Sequence, residues 1–324
     1  MKMRIKYNYI YRIIIKYKIY FIIIIFLIFI IFNNTIKYNN YINVAYAFDK
    51  KYHYITHCSM KSIMLSQNKD TFINFYVLIP SYINEAHKSI INKICLQHHN
   101  CKIQFIYMEN NFTNLNPKFW STAVFYRLKL QDLLINEKKI LYLDSDTIIY
   151  KDLSKIYNYD INGKYYIGML EPQDPKLNIK IDNFINTGVL LMNLYELRKD
   201  GISKKIIEFL YKNIDIIDFP INDSINLICS KKNGFFSPEY VQWGFCNIDF
   251  IDIYINKLTI KLNKKIVRKY YKDPYIYHLI GNWKKPWNGI PYYNKKVCTD
   301  PFTRFYEIAR KTDYYYEILN EFKF

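Results

Sequence analysis

The sequence lacks the glycine-rich motifs that mark two large groups of nucleotide-binding proteins. It contains neither Gly-x-Gly-x-x-Gly, typical of dinucleotide-binding folds, nor Gly-x-x-x-x-Gly-Lys-Ser/Thr, the phosphate-binding loop. Its six cysteines include no Cys-x-x-Cys pair, so no zinc-finger pattern is complete. We therefore expect the thiols to be buried as small hydrophobic side chains rather than to bridge or to bind zinc. No internal repeat is present.

Acidic residues are scarce relative to basic ones. The chain has 46 Lys and Arg residues against 28 Asp and Glu residues, a formal net charge of +18. This balance favours an acidic partner or surface, such as nucleic acid, anionic lipid or an anionic sugar. The lysines are scattered, however, so we expect most of them on a solvated surface. Because no nucleic-acid recognition motif is present, we expect no nucleic-acid partner.

Residues 1–41 combine a basic cluster with an apolar run. Residues 19–32 are apolar without a break, and no charged residue occurs in the 18 positions 19–36. This length and the basic flank predict an uncleaved signal-anchor in residues 19–36 with a cytoplasmic N-terminus. We therefore expect a membrane-associated, single-pass protein. The basic residues before the run are Lys2, Arg4, Lys6, Arg12, Lys16 and Lys18.

Other interpretations of the N-terminal segment stay open. Ala45-Tyr46-Ala47 resembles a signal-peptide cleavage site, but residues 43–48 are predicted to be the first core strand, which argues against cleavage there. The apolar segment could also lie on a membrane surface without crossing it. A further alternative is that residues upstream of the true start have been translated.

From residue 42 onwards, apolar strand patterns alternate with helical patterns. Such alternation predicts right-handed crossovers and a Rossmann-like α/β fold, in which helices flank a mostly parallel sheet. We expect one catalytic domain over residues 42–324, preceded by the hydrophobic helix. The predicted strands are residues 43–48, 72–79, 102–108, 140–143 and 184–192.

The strand from Ile140 to Leu143 is the most informative one, because it ends in two carboxylates, Asp144 and Asp146. In open α/β sheets, ligands bind at the carboxyl ends of strands. Two acids at such a position can hold a divalent cation, which can in turn bind a diphosphate. The alternative is a turn with two solvated acids. The position after a buried strand in mid-chain favours the metal site.

Five blocks of sequence, in order, resemble glycosyltransferase family 8, the group of glycogenin and of bacterial lipopolysaccharide glucosyl- and galactosyltransferases. The resemblance covers about residues 42–320. It implies a GT-A fold, a nucleotide-sugar donor that is usually a UDP-hexose, a bound Mn²⁺ (or Mg²⁺) ion and retention of anomeric configuration. The blocks are Val44-Ala-Tyr-Ala47-x-Asp49-x-x-Tyr52, Tyr126-Arg127-Leu128, Leu143-Asp144-Ser145-Asp146-Thr147, Asn186-Thr-Gly188-Val-Leu-Leu-Met-Asn193 and His278-x-x-Gly281-x-x-Lys284.

The resemblance also implies residue roles. Asp144, Asp146 and His278 would bind the metal, while Asp49 would meet the uracil edge and Tyr52 would stack on the ring. It also implies that Arg127 and Asn186 hold the donor phosphates and sugar, and that Gly281 and one of the two lysines bind the diphosphate. The residues expected to contact the donor are Ala47, Asp49, Tyr52, Arg127, Ser145, Asn186, Gly281 and Lys284.

The sequence departs from the family pattern in two places. The family's Asp-Gln-Asp run, which contributes to the sugar pocket, is Ile221-Asn222-Asp223 here. The first acid is lost, so the identity of the donor sugar stays open. The family's Lys-Pro-Trp carries an extra residue, so that Lys284 keeps the spacing from His278 while Lys285 keeps the contact with Pro286.

The resemblance therefore implies a retaining glycosyltransferase that moves glucose or galactose from a UDP-linked donor to a saccharide or glycan acceptor. We expect Arg127, Asn222 and Asp223 to be catalytic. No obvious nucleophile is present, so we favour attack by the acceptor on the face that the diphosphate leaves. The sequence names neither the acceptor nor the oligomeric state.

Two other functions compete with this prediction. Phosphatases of the haloacid dehalogenase type also place Asp-x-Asp after an apolar strand, but they have a Thr two positions after the second Asp, where this chain has Ile148. The second alternative is a non-catalytic, membrane-tethered binding protein on a degenerate transferase fold, because fold alone does not prove activity.

Overall fold

The computed structural model describes residues 16–18, 20–24, 38–109, 112, 114–244, 249–280, 285–288 and 300–320, with the backbone alone at 249, 250, 288 and 300. The chain separates into two units, residues 1–39 and 40–324. The predicted domain boundary between residues 41 and 42 stays a prediction.

In the first unit, residues 16–18 and 20–24 are helical. A helix needs about 20 predominantly apolar residues to cross the hydrocarbon core of a bilayer. Across the described ranges, no helix combines that length with that apolarity. The prediction of a single-pass membrane anchor in residues 19–36, with a cytoplasmic N-terminus, is therefore wrong, and the expected N-terminal hydrophobic helix is not seen among the described residues.

The described part of the second unit contains two sheets. The main sheet has seven strands in the order β3-β2-β1-β4-β7-β6-β8, and the small sheet has three in the order β5-β10-β9. In chain order the strands are β1 (Asn40–Ala47), β2 (Thr71–Pro80), β3 (Cys101–Met108), β4 (Lys139–Leu143), β5 (Thr147–Ile149), β6 (Tyr166–Leu170), β7 (Ile185–Asn193), β8 (Asn233–Phe235), β9 (Val241–Trp243) and β10 (Ile276–His278).

Strand direction determines which residues share an edge of the main sheet. Strands β1 to β4 run parallel, and β7 runs antiparallel to both β4 and β6. Strand β6 therefore runs in the same direction as β4. We call the edge where β1 to β4 and β6 end the carboxyl edge, and the opposite one the amino edge. The amino end of β7 and the β6–β7 connection, residues 171–184, also lie at the carboxyl edge.

Helices connect the strands and cover the main sheet, which confirms the predicted α/β fold with a mostly parallel sheet. The α-helices are α1 (His53–Ser66), α2 (Glu85–Gln97), α3 (Leu130–Leu133), α4 (Ser154–Tyr157), α5 (Leu194–Lys199), α6 (Ile202–Asn213), α7 (Pro220–Cys229), α8 (Asp249–Lys257), α9 (Lys264–Tyr271), α10 (Asp300–Ala309) and α11 (Tyr315–Asn320). Short 3-10 helices occupy Lys50–Tyr52, Thr122–Lys129, Ser230–Lys232 and Pro286–Asn288.

The central strands have no polar alternation because they are buried on both faces. In β4, Leu141 and Leu143 belong to one hydrophobic cluster, whereas Ile140 and Tyr142 belong to another. Successive side chains of a strand point to opposite faces, so the two clusters are the two cores on either side of the sheet. Truncation of Leu141 to Ala is expected to cost about 2–5 kcal/mol of stability.

The cysteines only partly follow the expectation that all of them are buried thiols. Cys58 and Cys229 are free and buried. Cys95 and Cys101 instead form a disulfide between the end of α2 and the start of β3, with their Cα atoms 5.5 Å apart. The expectation is therefore wrong for this pair, because the α2–β3 turn brings two residues six positions apart within bonding distance.

Candidate metal and donor site

A tight turn follows β4 and transfers the chain from the main sheet to the small one. The hydroxyl of Thr147 donates to the carbonyl of Asp144 at 2.9 Å and closes the turn. The backbone N–H of Asp144 donates to the carbonyl of Gly188 on β7 at 2.7 Å. In the small sheet, Thr147 pairs with His278. This pairing joins residues that are far apart in the chain and brings His278 to the two acids.

Asp144, Asp146 and His278 form a compact set of metal-ligating side chains. The His278 Nε2 atom lies 3.2 Å from Asp146 Oδ1 and 3.9 Å from Asp144 Oδ2. All three ligand atoms lie within 4.8 Å of one another, so one ion can contact all of them. Two carboxylates and one imidazole are a donor set that suits Mn²⁺, and carboxylates also suit Mg²⁺. The predicted metal ligands are thus brought together.

The backbone of β7 approaches the side chains of Asp144 and His278 closely at Gly188. A Cβ atom at Gly188 would lie 2.6 Å from Asp144 Oδ2 and would also collide with the His278 ring. Only glycine fits there without displacing the ligands. His278 is 5% exposed, and its Nδ1 has no hydrogen-bond partner among the described residues. Backbone pairing in the small sheet fixes the backbone of His278, and the ring's Nε2 faces Asp146.

Arg127 makes hydrogen bonds to other groups of the protein. Its guanidinium donates to Asp144 Oδ1 at 2.8 Å and to the carbonyl of Thr187, while its Nε donates to the carbonyl of Val124 at 3.0 Å. The hydroxyl of Tyr142 donates to the same oxygen, Asp144 Oδ1, at 2.8 Å. These bonds fix one oxygen of Asp144, so the other faces His278. In the structure, Arg127 orients a predicted metal ligand.

Asp146 is held by positive groups. Burial alone would raise its pKa, but the charges of Lys285 and His278 outweigh burial and hold the pKa of Asp146 well below its ordinary value. The Nζ atom of Lys285 lies 2.5 Å from Asp146 Oδ2 and also donates to the carbonyl of Leu279. Gly281 and Lys284, both predicted to bind the diphosphate, lie outside the described residues.

The predicted nucleotide-binding residues lie where β1 ends. Ala47 is its last residue, and Asp49 caps the following 3-10 helix by accepting from Lys51 N at 3.0 Å. The Tyr52 ring meets the Trp287 ring edge-on at 6.3 Å. Burial, followed by the charges of Asp146, Asp49 and Asp144, raises the pKa of Tyr52. Tyr52 therefore lies within electrostatic reach of the metal-ligating acids.

Two further features border this region. The Ser145 hydroxyl is buried and hydrogen-bonded to that of Thr56 at 2.7 Å, which anchors the turn to α1. A cavity of about 380 Å³ opens beside Asp49, at the ends of β2 and β3. Its walls include the aromatic residues Tyr82, Phe112, Trp120 and Tyr126.

Asn222 and Asp223 differ in where they point. Asn222 donates to Glu171 Oε2 at 2.6 Å and accepts from Thr187 N at 3.3 Å, so it reaches the site. Asp223 is 1% exposed and accepts from Phe219 N at 3.0 Å at the start of α7. Burial, aided by neighbouring acids, raises the pKa of Asp223 to about 7. Its second oxygen has no partner among the described residues.

Glu171 is a site residue that the sequence reasoning missed. It follows β6 directly and accepts hydrogen bonds from Asn186 Nδ2 at 3.0 Å, Asn222 Nδ2 at 2.6 Å and Tyr254 Oη at 3.1 Å. Burial raises the pKa of Glu171, and the Asn186 hydrogen bond and the nearby His278 charge partly offset that rise. The missed signal was an apolar run, Tyr166–Leu170, that ends in an acid as β4 does.

The sequence model of glycosyl transferase family 8 matches residues 43–290. The lipopolysaccharide 1,2-glucosyltransferase of Escherichia coli is 24% identical over 279 residues, which cover 83% of this chain and 77% of that protein. A Haemophilus influenzae protein named as a glycosyltransferase is 27% identical over 208 residues, or 60% of this chain. The chain spans 61% of that relative's length.

Solved structures share the architecture. The galactosyltransferase LgtC, solved with donor and acceptor sugar analogues, matches with a TM-score of 0.65 at 21% identity, covering 84% of this chain and 96% of LgtC. The bifunctional glycosyltransferase WbbM matches with a TM-score of 0.68 at 17% identity, covering 88% of this chain and 52% of WbbM. At these identities the likeness shows the fold, as predicted from the sequence. Because the family model runs from the first strand of the main sheet to beyond His278, this chain belongs to glycosyltransferase family 8.

Proposed function

We propose that the protein is a retaining hexosyltransferase, which moves glucose or galactose from a UDP-linked sugar to a saccharide or glycan acceptor. The observation that carries the proposal is the convergence of Asp144, Asp146 and His278 at the carboxyl edge. Family membership supports a transfer reaction. The names of two similar proteins, a glucosyltransferase and a galactosyltransferase, support a hexose as the transferred group.

The donor is proposed to lie along the carboxyl edge in the order of the strands. Its base meets Asp49 and Tyr52 after β1, next to Ala47. Its diphosphate lies beside Asp144, Ser145 and Asp146 after β4. Its hexose extends over the amino end of β7, towards Asn186 and Asn222. This order follows from the strand sequence β1-β4-β7-β6 in the main sheet.

Cleavage of the sugar–phosphate bond leaves negative charge on the departing diphosphate, and positive groups at the site offset it. Asp144, Asp146 and His278 would hold Mn²⁺ or Mg²⁺, which supplies Lewis-acid stabilisation of the leaving group when bound. Lys285 places an ammonium group next to Asp146. We keep Gly281 and Lys284 as proposed diphosphate contacts, and Arg127 as the residue that orients Asp144.

The acceptor is proposed to attack C1 from the face that the diphosphate leaves, which retains the anomeric configuration. Asp223 could serve as a nucleophile only if its carboxylate reached the sugar, and it is buried at the start of α7. Same-face attack needs no protein nucleophile. The chain's own contribution is then to align donor and acceptor and to exclude water.

The experiment is a donor screen with the purified protein. UDP-glucose and UDP-galactose are incubated with MnCl₂, with or without glycan acceptors, and UDP release is measured. We expect release with one donor, its abolition by chelator, and an unchanged anomeric configuration in the NMR spectrum of the product. Binding of UDP with Mn²⁺, but no turnover of any donor, would instead identify a binding protein on a transferase fold.

A further inference from the structure

Glu171 occupies, after β6, the position that Asp144 occupies after β4. Each acid follows the last residue of an apolar strand, and the two strands run in the same direction. Both carboxylates therefore lie at the carboxyl edge. Only β7 stands between the two strands, and its amino end carries Asn186 and Gly188.

The Glu171 carboxylate is held rigidly but is not saturated. Its Oε2 accepts from the amides of Asn186 and Asn222, and its Oε1 accepts from the hydroxyl of Tyr254. A carboxylate offers about four lone-pair sites, so the described donors leave about one on Oε1. The side chain is only partly buried, which leaves it accessible to a ligand. Burial raises the pKa of Tyr254, so its hydroxyl stays a donor.

The position of Glu171 fits the sugar rather than the nucleotide. Adjacent strands lie about 4.8 Å apart, so β6 is roughly 10 Å from β4 along the sheet. With the base after β1 and the diphosphate after β4, the next group along the edge is the hexose. Glu171 then faces that hexose across the amino end of β7, on the side away from the base.

We propose that Glu171 is a catalytic carboxylate that stabilises the positive charge on the hexose in the transition state, an inference that rests on the proposed function. When the bond between C1 and the diphosphate oxygen breaks, its electron pair leaves with the diphosphate. Positive charge then develops on C1 and the ring oxygen, next to the Glu171 anion. The acceptor hydroxyl bonds to C1, and its proton passes to the departing diphosphate.

The same geometry disfavours a covalent bond between Glu171 and the sugar. Both amides occupy Oε2, and the Tyr254 hydroxyl occupies one site of Oε1. Hydrogen bonds to a carboxylate lower its nucleophilicity, but they leave its net charge in place. The network therefore suits electrostatic stabilisation by a fixed charge, which costs little reorganisation during the reaction.

The test compares Glu171→Gln with Glu137→Gln. A Gln at 171 can still accept from both amides through its oxygen, so the network is retained while the charge is lost. Glu137 is a matched control, because it also accepts from an Asn amide and a Tyr hydroxyl, at 2.6 Å from Asn43 and 2.9 Å from Tyr76, but lies at the amino edge. Hydrolysis of UDP-glucose and UDP-galactose without acceptor is measured, together with calorimetric binding of UDP plus Mn²⁺.

We expect Glu171→Gln to lower kcat for donor hydrolysis on the order of 100-fold. UDP lacks the hexose, so its affinity should be unchanged. Glu137→Gln should hydrolyse the donor at the wild-type rate. Glu171→Asp keeps the charge and should retain more activity than Glu171→Gln; it also provides a reading if the Gln variant fails to fold.

Two results would overturn the proposal. The first is donor hydrolysis by Glu171→Gln at the wild-type rate; a raised acceptor KM in the transfer assay would then make Glu171 an acceptor contact. Equal losses in the Gln and Asp variants, together with weaker UDP binding, would show a structural role only. If the wild-type protein hydrolyses and transfers no donor at all, the proposed function itself fails, and the wild-type assay alone reveals it.

Discussion

The two edges of the main sheet carry similar polar networks with different surroundings. At the amino edge, Glu137 accepts from Asn43 and Tyr76. At the carboxyl edge, Glu171 accepts from Asn186, Asn222 and Tyr254. The partner chemistry is the same, so a glutamate bound by amide and phenol groups does not by itself indicate a site.

What differs is the neighbourhood of each network. At the same edge as Glu171 lie Asp144, Asp146 and His278, which can share one ion. Beside Glu137, Arg198 donates to three backbone carbonyls, those of Gln131, Leu134 and Glu137, and joins α5 to α3 and to the connection before β4. At the amino edge, the charged groups therefore connect secondary-structure elements to one another. The carboxyl edge leaves ligand atoms facing one another, as strand ends in open sheets commonly do.

The largest expected effect comes from the metal-ligating acids. Asp144→Asn or Asp146→Asn should lower turnover on the order of 100-fold or more, because the leaving-group charge loses its counterion. Mn²⁺ affinity in the presence of UDP, measured by calorimetry, should fall in parallel. Asp200→Asn is the control, since Asp200 accepts from Lys232 at 2.8 Å and Tyr165 near the amino edge. Full activity of both variants in chelator would exclude the metal site.

The next largest effect is expected at Gly188 on β7, beside the metal-ligating side chains. Gly188→Ala should weaken Mn²⁺ binding by about 10- to 100-fold, because the new methyl group displaces Asp144 and His278 from their positions. Gly234→Ala on β8 is the matched control, since its Cβ would meet its nearest neighbour at 3.4 Å, an ordinary contact. Equal Mn²⁺ affinities for the two variants would contradict the close approach at residue 188.

A smaller effect is expected at Tyr52, the residue proposed to stack on the base. Tyr52→Ala should weaken UDP binding by roughly 1–3 kcal/mol, the usual contribution of aromatic stacking on a base. Tyr41→Ala serves as the control, because Tyr41 is an exposed residue at the amino end of β1. Calorimetry with UDP and Mn²⁺ measures both. If Tyr52→Ala binds UDP as the wild type does, the base lies elsewhere.

The smallest effect on turnover is expected for Asp223→Asn, which should change the pH dependence of stability instead. Folding raises the pKa of Asp223 from 3.8 to about 7. Between these values the folded state binds more protons than the unfolded state, so the free energy of unfolding falls as pH rises through this range. Asp223→Asn should flatten that slope in denaturant titrations. A large loss of turnover with the slope unchanged would make Asp223 catalytic after all.

The sequence predicted the main strands well because burial on both faces leaves an unbroken apolar run, as in Ile140–Leu143. It also predicted the two acids after β4, since a strand end is a local feature. The approach of His278 depends on its pairing with Thr147, a long-range contact. Only the family resemblance, and no local pattern, pointed to it.

Other parts of the site escaped prediction for physical reasons. Glu171 was missed because β6 is short and contains Gly168, which weakens a strand pattern. The fixed orientation of Arg127 depends on carbonyl groups of Val124 and Thr187, which no side-chain pattern reveals. Lys284 and Lys285 are adjacent, so the sequence alone leaves open which of them binds the diphosphate. The ion pair between Lys285 and Asp146 joins residues far apart in the chain, and no local pattern predicts it.

The reversed direction of β7 has a consequence for how new specificities arise in this fold. Because β6 ends and β7 begins at the same edge, the whole connection of residues 171–184 is confined to the neighbourhood of the proposed sugar site. Insertions and deletions there would leave the register of both strands intact, since surface connections tolerate changes in length. Variation of this loop would therefore change which hexose is transferred, while the turn after β4 with its two acids stays unchanged.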